Sequence, residues 1–142
     1  MIDRNRLEVE KEILEERLGN DMFKFINIES EEPILALAVV TNSGNLYTLV
    51  VELDDFPDAR PDVYVAKMLK DAFGNNMEDP SHCMHTLSSK NEWTQICHYS
   101  AANWEANISL LLVYVRCAMW LNAYEAHLQD PSHKPIDHWL GS

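Results

Sequence analysis

The sequence predicts one α+β domain over residues 1–142: an N-terminal helix, a four-stranded antiparallel meander, a long loop and a long C-terminal helix. Three observations predict it. Apolar side chains recur at helical spacing near the start and again after Asn107. Between these segments lie short runs of valine, isoleucine, leucine and aromatics, separated by turn residues. A polar stretch marked by proline and glycine then divides the last strand from the last helix.

The first helix is expected over Ile2 to Leu18. Leu7, Ile13, Leu14 and Leu18 share one side, and Glu8, Glu12, Glu15 and Glu16 take the wetter side. Gly19-Asn20 is the expected stop, because glycine tolerates the left-handed cap conformation. The strands follow at Phe23–Ile28, Ile34–Val40 and Leu46–Leu53, the last two joined by the hairpin loop TNSGN. Pro57 and Pro61 cannot sit in a central strand, so DDFPDARP is expected to be an exposed crossover into a fourth strand, Asp62–Met68. Lys70 to Glu92 is expected to be irregular. Loops of this length in compact domains are often functional.

Asn107 to Leu128 is the second expected helix, apolar nearly all round in its first half and amphipathic in its second. Asp130-Pro131 ends it, and KPIDHWLGS is expected to add one amphipathic turn. The apolar run Ile108–Leu121 is shorter than the roughly 18 residues a bilayer span needs, so no membrane is expected.

Charge narrows the possible functions. The chain carries 23 acidic and 11 basic residues, a formal net charge of -12. Such a surface repels a phosphate backbone, so nucleic acid is not an expected partner. Cys83, Cys97 and Cys117 are odd in number and widely spaced, which argues against a disulfide framework. The charged start has no apolar signal core, so a cytoplasmic protein with reduced thiols is expected.

Chemistry centres on WTQICHYSAANW, where Cys97 stands between a long loop and a helix. A nucleophilic cysteine needs exposure and a means of stabilising charge. His98 is adjacent, and His82 and His85 precede it; either neighbourhood could supply a base or a positive group. The plainer reading makes Cys97 a small buried residue. A zinc site from Cys83, His85, Cys97 and His98 has the right ligand types but the wrong spacing, so no metal or other cofactor is expected. Cys117 and Met119 are expected in the core, and Arg116 at an exposed helix edge or paired with a carboxylate. Trp93, Trp104, Trp120 and Trp139 are expected to be packing anchors.

Three pieces, in this order, resemble the ubiquitin-conjugating enzymes and the related RWD domains. FPDARPDVYV is similar to the family's aromatic-proline segment leading into the fourth strand. ICHY is similar to its apolar-cysteine segment, and WEANISLLLVYV to the tryptophan and apolar helix beyond. The similarity covers roughly Met1 to Leu128. It implies that Cys97 carries a ubiquitin-like protein as a thioester, received from an activating enzyme and passed to an amine on a protein acceptor. The family's His-Pro-Asn signature is absent: Thr86 and Leu87 follow His85. Proton handling then falls to His85 or His98. Glu105 and Ala106 follow Trp104 where the family has a proline, and the first helix is acidic where the family's is basic. These departures imply a divergent member, such as the conjugating-enzyme-like proteins of bacteria. The alternative is a non-catalytic module of the same fold that only binds proteins.

Overall fold

A computed structural model describes residues 2–135. The expected C-terminal turn and Trp139 fall largely beyond Pro135 and lie outside the described residues. The first helix, α1, spans Arg4–Leu18. Asp3 caps it by accepting the Arg6 N–H at 3.0 Å, and Gly19 ends it at φ 81°. Leu7 and Leu14 are buried, while Glu8, Glu12, Glu15 and Glu16 face solvent.

Six strands form one antiparallel sheet: β1 Phe23–Ile26, β2 Ile34–Val40, β3 Leu46–Glu52, β4 Asp62–Val65, β5 Thr86–Lys90 and β6 Trp93–Ile96. Their spatial order is β1-β2-β3-β4-β6-β5. The expected four-stranded meander is therefore extended by a hairpin inside the stretch expected to be irregular. That hairpin was hidden because β5, TLSSK, is a polar edge strand whose stability comes from pairing with β6. Asn91 and Glu92 turn the chain at φ 55° and 61°, a geometry for which sequences usually advertise a glycine. The fourth strand is also shorter than expected, ending at Val65, although the Ala66 N–H still donates to Thr48 O and Lys67 O accepts the Thr94 N–H.

The core is built on the alternating residues of one sheet face. Leu35, Leu37 and Val39 of β2, and Tyr47, Leu49 and Val51 of β3, are buried with Val63, Val65 and Ile96. The second helix, α2, spans Leu110–Gln129 and adds Leu110, Val113, Cys117, Trp120, Leu121 and Tyr124 to the same cluster. Its first half is not enclosed all round as expected, for Leu112 and Val115 remain exposed. Arg6 and Glu10 hold α2 against α1. Glu10 Oε1 accepts the Leu110 N–H at 2.7 Å, and Arg6 donates to Glu10 Oε2, Ala106 O and Ile108 O. Among the described residues no helix is long and apolar enough to cross a membrane.

Candidate functional site

β6 lies between β4 and β5, and Cys97 follows its last residue. The Cys97 N–H donates to His85 O at 2.9 Å, which carries the β5–β6 ladder one step past the Thr86–Ile96 pair. The chain then leaves the sheet through Tyr99 into a short 3₁₀ turn, Ala101–Asn103.

Three hydrogen bonds fasten this exit to the proline crossover. Arg60 Nη1 donates to Tyr99 O at 2.7 Å, the His98 ring meets Pro61 O through Nε2 at 2.7 Å, and Trp104 Nε1 donates to Pro57 O at 2.8 Å. The Trp104 ring lies 6.1 Å from that of Phe56 and 5.8 Å from that of Tyr99. The crossover is exposed, as expected, at Asp54, Asp55, Asp58 and Ala59, but it buries Phe56 and Pro61.

Cys97 is half-buried, whereas Cys83 is exposed and Cys117 is enclosed in the core. Its Sγ lies 3.8 Å from Tyr99 O, the same oxygen that accepts from Arg60. Burial pushes the Cys97 thiol up, and the positive charges of Arg60 and Arg116 pull it partly back. Arg116 is half-buried on α2. Its Nε donates to His98 O at 2.7 Å, and its guanidinium lies 4.0 Å from the centre of the Tyr99 ring.

The two histidines take different places. His98 is buried, and burial lowers its pKa to about 4. A neutral ring facing Pro61 O carries its proton on Nε2, which leaves Nδ1 as a buried acceptor without a partner among the described residues. His98 therefore braces the loop to the crossover. His85 is also buried, at φ 51°, with its ring 6.0 Å from that of His82. Burial, then His82 and Arg116, hold its pKa below the usual histidine range. His85 thus stands beside Cys97 through the main chain, and His98 through sequence; the polar contact of Sγ is with a backbone carbonyl.

Arg60 and Arg116 are the site residues that sequence reasoning missed. Arg116 carried a signal, as the one charge in an otherwise apolar helical run needs a polar partner. Arg60 carried little beyond its position between two prolines. No group of three or more His, Cys, Asp or Glu side chains is placed to hold a metal ion among the described residues.

Searches of protein-family models, curated proteins and solved structures returned no match to this chain.

Proposed function

We propose that the protein is a ubiquitin-conjugating-enzyme-like transferase with Cys97 as its nucleophile. The observation that carries this reading is the fastening of the proline crossover to the segment after Cys97 by Arg60, His98 and Trp104. All three pieces on which the resemblance rests take part, Arg60 and Pro61 from the first, His98 and Tyr99 from the second and Trp104 from the third, beside a half-buried thiol. The Cys97 thiolate attacks the carbonyl of a modifier held as a thioester on its activating enzyme. A tetrahedral oxyanion forms and collapses, expelling the activating enzyme's thiolate and leaving the modifier on Sγ. An acceptor amine then attacks that carbonyl, loses a proton and expels the Cys97 thiolate.

A non-catalytic, protein-binding role for the same fold is the second reading. It is favoured by the burial that raises the Cys97 thiol and by the locked, neutral His98. A non-reducing gel separates the two. With a cognate activating enzyme and modifier, a reductant-sensitive adduct should form, persist in Cys83→Ser and disappear in Cys97→Ser. A competent activating enzyme that yields no adduct on the wild-type chain would sink the transferase reading.

A further inference from the structure

β1 is an edge strand, paired with β2 alone. The register decides which of its main-chain groups are used. The Ala38 N–H donates to Met22 O, so the bonded pairs continue at Lys24–Ala36 and Ile26–Ile34. The alternate residues of β2 serve β3 instead, in step with the Leu53 N–H that donates to Pro33 O. The N–H and C=O groups of Phe23 and Phe25 therefore point away from the sheet. Among the described residues no other segment pairs with them.

Beside this edge, between β1 and α1, runs a groove of about 430 Å³. Leu7, Phe23, Phe25 and Ile28 give it an apolar lining packed on the core. Glu8, Lys11 and Glu15 stand exposed along its α1 wall. We infer that this groove binds an extended peptide, which adds to β1 as a further antiparallel strand and presents basic, apolar and basic side chains at alternate positions. The inference is independent of any chemistry at Cys97.

Main-chain bonds to Phe23 and Phe25 hold such a strand, and its alternate side chains give specificity. Residues opposite the two phenylalanines place their side chains on the same face of the sheet, into the groove. Glu8 and Glu15 lie about 10 Å apart along α1. Strand residues four apart are separated by about 13 Å, a span that two flexible basic side chains match. Lys11, between the glutamates, repels a cation at the middle position, while its stem offers apolar contact there. The net charge of -12 attracts a basic segment and opposes self-association. A second copy of this chain also fits the edge poorly. The two-fold pairing that bonds both phenylalanines sets Lys24 directly opposite its own copy.

The probe is the acetylated, amidated peptide TKTVTKT, with TETVTET as its acidic control. TKTVTKT should bind saturably, followed by amide NMR shifts. With free peptide at about ten times its Kd, hydrogen exchange at Phe23 and Phe25 should slow about tenfold. Lys24 and Ile26, already bonded to β2, should change less. Reversing Glu8 and Glu15 to lysine together should weaken binding about tenfold. Reversing Glu12 and Glu16, which are exposed on α1 but do not line the groove, changes the net charge equally and should weaken it less.

Absence of saturable binding by about 1 mM TKTVTKT would overturn the inference. So would equal binding of TETVTET, equal weakening by the two double variants, or binding that leaves Phe23 and Phe25 exchange unchanged. A dimer of the free protein in which those two amides are already slow would also overturn it, giving the edge to a second copy.

Discussion

Cys97 Sγ and Arg60 Nη1 converge on a single atom, the carbonyl oxygen of Tyr99, at 3.8 and 2.7 Å. The thiol and a permanent cation therefore share one fixed point of the backbone. Any shift of the proline crossover that moves Arg60 changes the surroundings of the sulfur.

The first prediction concerns the thiol itself. Burial raises Cys97 more than the two arginines lower it, so its alkylation by iodoacetamide should keep accelerating beyond the pH of about 8.5 at which an ordinary cysteine is half ionised. Arg116→Gln should move the midpoint higher still. A wild-type midpoint at or below about 8.5 would contradict this.

His98 should make the fold acid-sensitive. Its folded pKa is about 4 against an ordinary 6.5, so the unfolded chain binds the proton first. The contribution of the neutral ring is complete above the unfolded value and is lost as pH falls from about 6.5 toward 4. Urea unfolding should show a loss from this group of about 2 kcal/mol between pH 7 and pH 5. An NMR titration in which His98 protonates near 6.5 in the native state would refute it.

Glu10→Ala should be among the most damaging single changes in α1. The buried carboxylate accepts the first amide of α2 and pairs with Arg6 at 2.8 Å, so its removal takes the acceptor from the Leu110 N–H and the charge partner from Arg6, which keeps its bonds to Ala106 O and Ile108 O. A cost of about 3 kcal/mol is expected from urea unfolding. Glu10→Gln keeps an acceptor for Leu110 and should cost less.

Trp104→Phe keeps an aromatic ring near Phe56 and Tyr99 but withdraws the donor from Pro57 O. The expected loss is about 1 kcal/mol in thermal or urea unfolding. A loss of 3 kcal/mol or more, the range of a cavity, would show that the indole's bulk matters more than its N–H.

The exposed glutamates of α1 offer a contrast. Reversing Glu12, Glu15 and Glu16 to lysine should leave stability within about 0.5 kcal/mol per site. If α1 docks a basic partner surface, the same change should slow modifier transfer; an unchanged transfer rate would count against that docking.

Much of the scaffold was legible because its signals are local. β2 runs over Ile34–Val40 as expected, since its residues are apolar throughout and a glycine-bearing loop fixes its end. Gly19 ends α1 where its conformational freedom places it. The β5–β6 hairpin was illegible because β5 is polar, pairs with β6 only through Thr86, Leu87 and Lys90, and is irregular at Ser88 and Ser89, where the Ser89 N–H donates to Glu78 O. Cys97 was visible from its neighbours in sequence. Its electrostatic setting was not: Arg60 reaches Tyr99 across 39 residues and Arg116 reaches His98 across 18. Contacts between such distant positions leave no periodicity to read.

The segment between β4 and β5 carries little regular structure, yet α2 and β6 hold it at several points. Tyr124 donates to Lys70 O, His127 Nε2 accepts the Ala72 N–H, Trp120 donates to Met84 O, and Thr94 Oγ1 accepts the Leu69 N–H. The Met77 N–H closes back on Leu69 O. The amide hydrogens of Leu69, Ala72 and Met77 should therefore exchange with deuterium as slowly as those of a strand, while that of the exposed Asn76 exchanges early. Residues 66–85 would then open in step with the end of α2, and the approach to Cys97 would inherit the stability of the helix behind it.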